Sequence, residues 1–191
     1  KRILKSLINK LYPYYKGFIL VFLFQRNQIK IFSPKKSVIE KKDIPFFQSE
    51  EKLHMDLVRS FNWSDTLNVI INYTAKPRTG LYFFKPDSSY PERRLQAWTQ
   101  GEETDNHHWV PIYDYPNDRS TFETILTVDR SFKAVSNGEL VSVVENSDGT
   151  HTWHWRENFP MVAYLISYVV GEYVKVEDSY KNIPVNYWVY E

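Results

Sequence analysis

At 191 residues the chain is long enough for one domain with its own hydrophobic core, and length alone gives no reason to expect two. A formal net charge of +1 supplies no global field to steer a polyanion, so nucleic acid is not an expected partner without a local basic patch. The absence of cysteine excludes disulfides, Cys-ligated zinc and thiol catalysis, and leaves a periplasmic or secreted setting and a cytoplasmic one equally open. An aromatic content of 17%, with 14 Tyr and 6 Trp, points to strands, whose pleated surfaces suit flat side chains.

Lys1 to Ile39 carries nine Lys or Arg and no Asp or Glu, with the seven-residue apolar run Phe18 to Phe24 (FILVFLF) inside it. A basic stretch ahead of an apolar one is the order of a targeting signal or membrane anchor. The run is far shorter than the roughly 20 residues a spanning helix needs, and QRNQ follows where small cleavage-site residues belong. A strand, or a segment foreign to the domain, is the simpler reading. Residues 1–45 are therefore set apart as a basic segment of uncertain status, a membrane partner is not expected, and 46–191 are read as the folded domain.

A charged connector punctuated by proline runs from Pro34 to Glu51, after which KLHMDL alternates with the period of a half-buried strand. Leu67 to Tyr73 (LNVIINY) reads as a second strand. Pro77 and Gly80 punctuate before Leu81 to Phe84, and Gly80 is expected to supply a backbone angle that other residues resist. Thr121 to Val128 (TFETILTV) places Phe122, Thr124, Leu126 and Val128 on one face, as a sheet with one buried face requires. A turn at Ser136–Gly138 (SNG) and a hairpin loop at Asn146–Gly149 (NSDG) separate two further antiparallel strands, the second containing Trp153 and Trp155 as structural aromatics. Met161 to Val170 (MVAYLISYVV) is a continuous apolar run that predicts a strand buried on both faces. PVNYWVY, from Pro184, starts a last strand. The class predicted is all-β and mainly antiparallel, a sheet or sandwich.

One stretch concentrates chemistry: TQGEETDNHHW, Thr99 to Trp109, holds three carboxylates and two of the five histidines. His107 and His108, adjacent in an extended segment, would point to opposite faces and could not easily share an ion. Glu102, Glu103 and Asp105 could join one of them in a hard-ligand site, but a polar loop lining a cleft or solvent is the reading preferred. No H-E-x-x-H, nucleophile elbow or phosphate loop occurs. On its own residues the chain is not a complete enzyme, and no catalytic or metal-ligating residue is expected in it.

From about Leu67 to the end, the order of motifs resembles the N-terminal β-domain of the aminopeptidase N family, the zinc metalloaminopeptidases. GLYFF (80–84), TQGE (99–102) followed by Thr104 and Asp105, PIYDYPND (111–118), STFET (120–124), VSNGEL (135–140) and AYLISYVVGEY (163–173) carry it. The resemblance implies a saddle-like, mainly antiparallel domain packed against a zinc catalytic domain. It also implies that the T-Q-x-E segment reaches the active site, where Glu102 binds the free α-amino group of the substrate with Gln100 as its neighbour. A carboxylate in a water-poor pocket is a strong partner for a compact ammonium group. The family's usual basic pair stands where His107 and His108 are, and Cys-Phe where Ile112 and Tyr113 are, so no role transfers to these four side chains. Its G-x-M-E-N and H-E-x-x-H motifs would lie beyond Glu191.

The expectation is thus the substrate-amino-end-binding domain of a zinc aminopeptidase, without its catalytic domain and inactive alone. Zinc would be bound by the full-length enzyme and not by this chain; the partners would be a peptide amino terminus and the enzyme's own catalytic domain. The alternative is a non-catalytic protein-interaction module on the same β-domain.

Overall fold

The structure, a computed structural model, describes residues 29–32, 42–43, 45–49, 52–56, 68–71 and 73–191. They belong to two compact units, one within Phe22–Lys76 and one whose described part is Pro77–Glu191. The apolar run Phe18 to Phe24 lies outside the described residues.

The Phe22–Lys76 unit contributes β1 (Ile29–Phe32), β2 (Lys42–Asp43), β3 (Phe46–Gln48), β4 (Leu53–Met55) and β5 (Asn68–Ile71). β1 lies between β2 and β5, antiparallel to both, and β3 pairs antiparallel with β4. The strands expected around KLHMDL and LNVIINY are present as β4 and β5. The charged stretch 34–51, expected as a plain connector, instead contains β2 and β3. Its local signals are outweighed by the pairing of β3 with β4: Ser49 N–H donates to Lys52 O at 2.9 Å, and Phe47 stacks on His54 with ring centroids 4.3 Å apart.

The Pro77–Glu191 unit contributes β6 (Leu81–Phe84), β7 (Gln96–Thr99), β8 (Ser120–Asp129), β9 (Lys133–Ser136), β10 (Glu139–Glu145), β11 (Thr150–Met161), β12 (Tyr168–Gly171), β13 (Val174–Tyr180) and β14 (Ile183–Val189). Two short 3-10 turns, Asp105–His108 and Ala163–Leu165, are its only helical segments among the described residues. One sheet runs β6-β7-β12-β9, a second β10-β11-β8, and β13 with β14 forms a hairpin; every pairing is antiparallel. The domain is all-β, as composition and alternation predict.

The core lies between the first two sheets. Leu126 and Val128 of β8 and Trp153 and Trp155 of β11 are buried on one side, and Ala97, Ala134, Tyr168 and Val170 on the other. Burying a side chain such as Leu126 contributes roughly 1.5–3 kcal/mol. The Trp155 indole N–H donates to Ala134 O at 2.9 Å, so this ring fills the core without orphaning its polar atom. In β8 the buried set is Thr124, Leu126 and Val128, with Phe122 half-buried, the face that alternation selects.

Two turns follow their glycines, with φ of 82° at Gly138 and 84° at Gly149. The run 161–170 departs from expectation: β11 ends at Met161, a 3-10 turn intervenes, and β12 begins at Tyr168. Asparagine side chains take over the backbone groups a neighbouring strand would have used. Asn106 donates to Ala163 O and Ile166 O, while Asn137 donates to Leu165 O and accepts from Ser167 N–H. Val162, Ala163 and Ile166 are buried here, while Leu165 at the tip of the turn is exposed.

Candidate functional site

The segment that begins TQGE leaves the end of β7 and crosses to the Asp105–His108 turn. Thr99 is buried, its Oγ1 accepting Tyr168 N–H of β12 at 3.0 Å, so the strand end is held on both sides. Gln100 N–H donates to Gly80 O at 3.0 Å, and Asp105 N–H donates back to Gly101 O at 2.8 Å. Glu102 and Glu103 occupy the turn so closed, joined by a cis peptide bond, and both are exposed, as is Gln100. The backbone is extended only as far as Thr99, so the acidic pair stands on a turn and not on opposite faces of a strand.

Beneath this tip stand a buried asparagine and a half-buried Thr79–Asp105 pair. Asn106 has no exposed surface; its Nδ2 donates to Ala163 O at 2.7 Å and Ile166 O at 2.9 Å, and its Oδ1 accepts the Trp109 indole N–H at 2.8 Å. Thr79 Oγ1 donates to Asp105 Oδ2 at 2.6 Å. Gly80 sits with φ of 79° so close to Asp105 O that an added Cβ would lie 2.1 Å from it, which is why glycine is required there.

His107 and His108 are not on opposite faces, because a 3-10 turn replaces the expected extended chain. Their ring centroids are 4.1 Å apart, and each faces its own carboxylate: His107 Nδ1 lies 3.6 Å from Asp114 Oδ2, and His108 Nε2 lies 3.6 Å from Asp105 Oδ1. Asp114 is almost fully buried, and its Oδ2 also accepts His107 N–H at 3.0 Å. Loss of hydration on burial pushes the Asp114 pKa up; the backbone N–H groups of His107 and Asn106 and the His107 ring act in the opposite direction.

The sequence profile described as the peptidase M1 N-terminal domain matches residues 21–165. The chain belongs to this family.

M1 kinship runs to proteins of different names. Transcription initiation factor TFIID subunit 2 of Gallus gallus is 30% identical over 133 residues, covering 68% of this chain and 11% of its own length. The leucyl aminopeptidase of Saccharolobus solfataricus is 26% identical over 148 residues, covering 76% of this chain and 18% of its own. A solved M1 zinc metallopeptidase of Deinococcus radiodurans, a mutant bound to a Tyr-Ser-Ala substrate, superposes with a TM-score of 0.66 at 18% identity over 89% of this chain and 38% of that one. The M1-type fold is thereby shown, and the chain spans well under half the length of these relatives.

Zinc is a property of the M1 metallopeptidases, and among the described residues of this M1 N-terminal domain no three His, Asp or Glu side chains converge to hold a metal. His107 and His108 are each directed at a different carboxylate, so they do not fit such a site, and no zinc-dependent step is assigned to them. No helix of the described residues is long and apolar enough to cross a membrane. Sequence reasoning missed Asn106. Trp109, three residues on, is a local hint of its partner, but Ala163 and Ile166 lie 57 and 60 residues away and leave no trace in the pattern.

Proposed function

We propose that this domain binds the amino end of a peptide substrate within an M1-type zinc aminopeptidase, with Glu102 as the carboxylate that pairs the α-ammonium group and Gln100 beside it. The observation that carries the reading is the pinned turn of the family's T-Q-x-E segment, which presents Glu102 to the exterior of the domain. A charge-assisted contact there selects free amino termini, since an internal peptide nitrogen has no charge to offer. The chemistry of bond cleavage belongs to a catalytic domain outside these residues.

The test has two parts. The full-length gene is expected to encode H-E-x-x-H within roughly 150 codons after Glu191, and a stop codon soon after that residue overturns the enzyme reading. In the full-length product, Glu102→Ala is expected to raise KM for peptides with a free amino terminus; unchanged kinetics removes Glu102 from the site.

The similarity to a transcription initiation factor subunit supports a second reading, a non-catalytic protein-interaction module on the same β-domain. A full-length product that captures a protein partner and neither binds zinc nor cleaves aminoacyl substrates would establish it.

A further inference from the structure

Asn106 is fully buried at the foot of the Glu102 turn, and all of its side-chain hydrogen bonds are made there. Its amide joins two segments distant in sequence: the 3-10 turn that follows Glu102, and the Ala163–Leu165 turn between β11 and β12. It takes two carbonyls there, Ala163 O at 2.7 Å and Ile166 O at 2.9 Å, while Trp109 holds its own oxygen at 2.8 Å. Both donor hydrogens and one acceptor lone pair are used, so the amide has a single permitted orientation.

Gly101, the residue before Glu102, rests directly on this arrangement. A Cβ built on Gly101 would lie 2.5 Å from Asn106 Oδ1 and 2.4 Å from Tyr164 O. The Glu102 turn is then closed by Asp105 N–H donating to Gly101 O at 2.8 Å, one residue before Asn106. The height and direction of the backbone carrying Glu102 are therefore set by the Asn106 amide and by the turn that this amide holds.

We infer that Asn106 is a positioning residue for the Glu102 carboxylate, acting through the Gly101 backbone; the inference rests on the reading of Glu102 as the ammonium-binding group. Asn106→Asp keeps the size of the side chain and replaces the two carbonyl-directed donors with an oxygen. Displacement of a contact made equally to bound substrate and transition state raises KM and leaves kcat alone.

The experiment uses the full-length gene product in four forms, unaltered, Asn106→Asp, Glu102→Ala and the double variant, with kcat and KM measured on a peptide with a free amino terminus. Asn106→Asp is expected to raise KM about fivefold or more with kcat within about twofold, and to add no further rise in the Glu102→Ala background. An unchanged KM in Asn106→Asp, or an equal rise in both backgrounds, overturns the positioning role. Should Asn106→Asp fail to fold by circular dichroism, Trp109→Phe removes one of the three amide bonds and retains a ring. A KM rise confined to the background that has Glu102 is expected of it, and an unchanged KM overturns the inference. Failure of the underlying reading shows separately, as an unchanged KM in Glu102→Ala alone.

Discussion

Asn106 and Asp114 are buried polar side chains that hydrogen-bond within the fold, whereas a few residues before Asn106 the side chains of Gln100, Glu102 and Glu103 stand in solvent. The two regions share one loop and opposite physical constraints. In the base, a polar atom removed from water is stabilised by its hydrogen-bond partner, and loss of that partner costs about 1–3 kcal/mol of folding free energy. At the tip, Gln100, Glu102 and Glu103 are exposed, and under the proposed function their value lies in what they meet from outside. Base and tip thus answer first to different measurements: variants in the base should be read in stability, with Asn106 reaching KM only through the Gly101 backbone, and variants at the tip in binding.

The largest expected effect that tests this division is at Gly80. Gly80→Ala places a methyl group 2.1 Å from Asp105 O in a backbone with φ of 79°, and backbone cannot rotate aside as a side chain can. A loss of about 3 kcal/mol is expected, read from the urea midpoint of this chain. A loss under about 0.5 kcal/mol would break the claim that the base is rigid.

Next comes Glu102→Ala, the converse case. Its stability change should stay within about 0.5 kcal/mol, while in the full-length product the KM for free-amino peptides rises by an equivalent of about 1–3 kcal/mol. A large drop in melting temperature would place Glu102 in the base after all.

Smaller effects come from two carboxylates shifted in opposite directions. Burial raises the Asp114 pKa, so the folded state holds this proton more readily than the unfolded chain, and stability is lost as pH rises from the ordinary aspartate value of about 3.9 through the raised one. Asp114→Asn is expected to flatten that part of the stability profile, measured by chemical denaturation between acid and neutral pH. Glu123, exposed on β8, is lowered by its hydrogen bond from His154 and then by Arg156. Its contribution is present above the ordinary glutamate value of about 4.3 and is lost as pH falls through the lowered one. Glu123→Gln should remove only this acid-side slope, the smallest change of the set, and an alkaline effect from it would contradict the assignment.

How far the sequence alone reaches follows the same division. β8 and the Gly138 and Gly149 turns were legible because alternation and glycine act locally, and the burial of Trp153 and Trp155 follows from strand aromatics in an all-β domain. The interruption at Ala163–Leu165 was not, since an apolar run describes a turn with buried flanks as well as a strand buried on both faces. The turn joining β13 to β14 was equally hidden: Lys181 and Asn182 adopt φ of 48° and 66°, and lysine is not a residue that advertises such a turn. At the site, Thr99, Gln100 and Glu102 were named through family resemblance. Asn106 was invisible because its bonds span the chain, and the histidine pair was misjudged by assuming extended backbone where a 3-10 turn stands.

β10 carries a practical consequence. All seven of its residues are exposed, and Leu140, Val141, Val143 and Val144 are each between 41% and 52% accessible, on a strand at the margin of its sheet. Such an edge is a template for intermolecular strand pairing, and the chain meets that hazard with Glu139 and Glu145 at the two ends and an irregular register near Val141. Neutralising both glutamates is expected to make the chain self-associate as its concentration rises while leaving its folding stability unchanged.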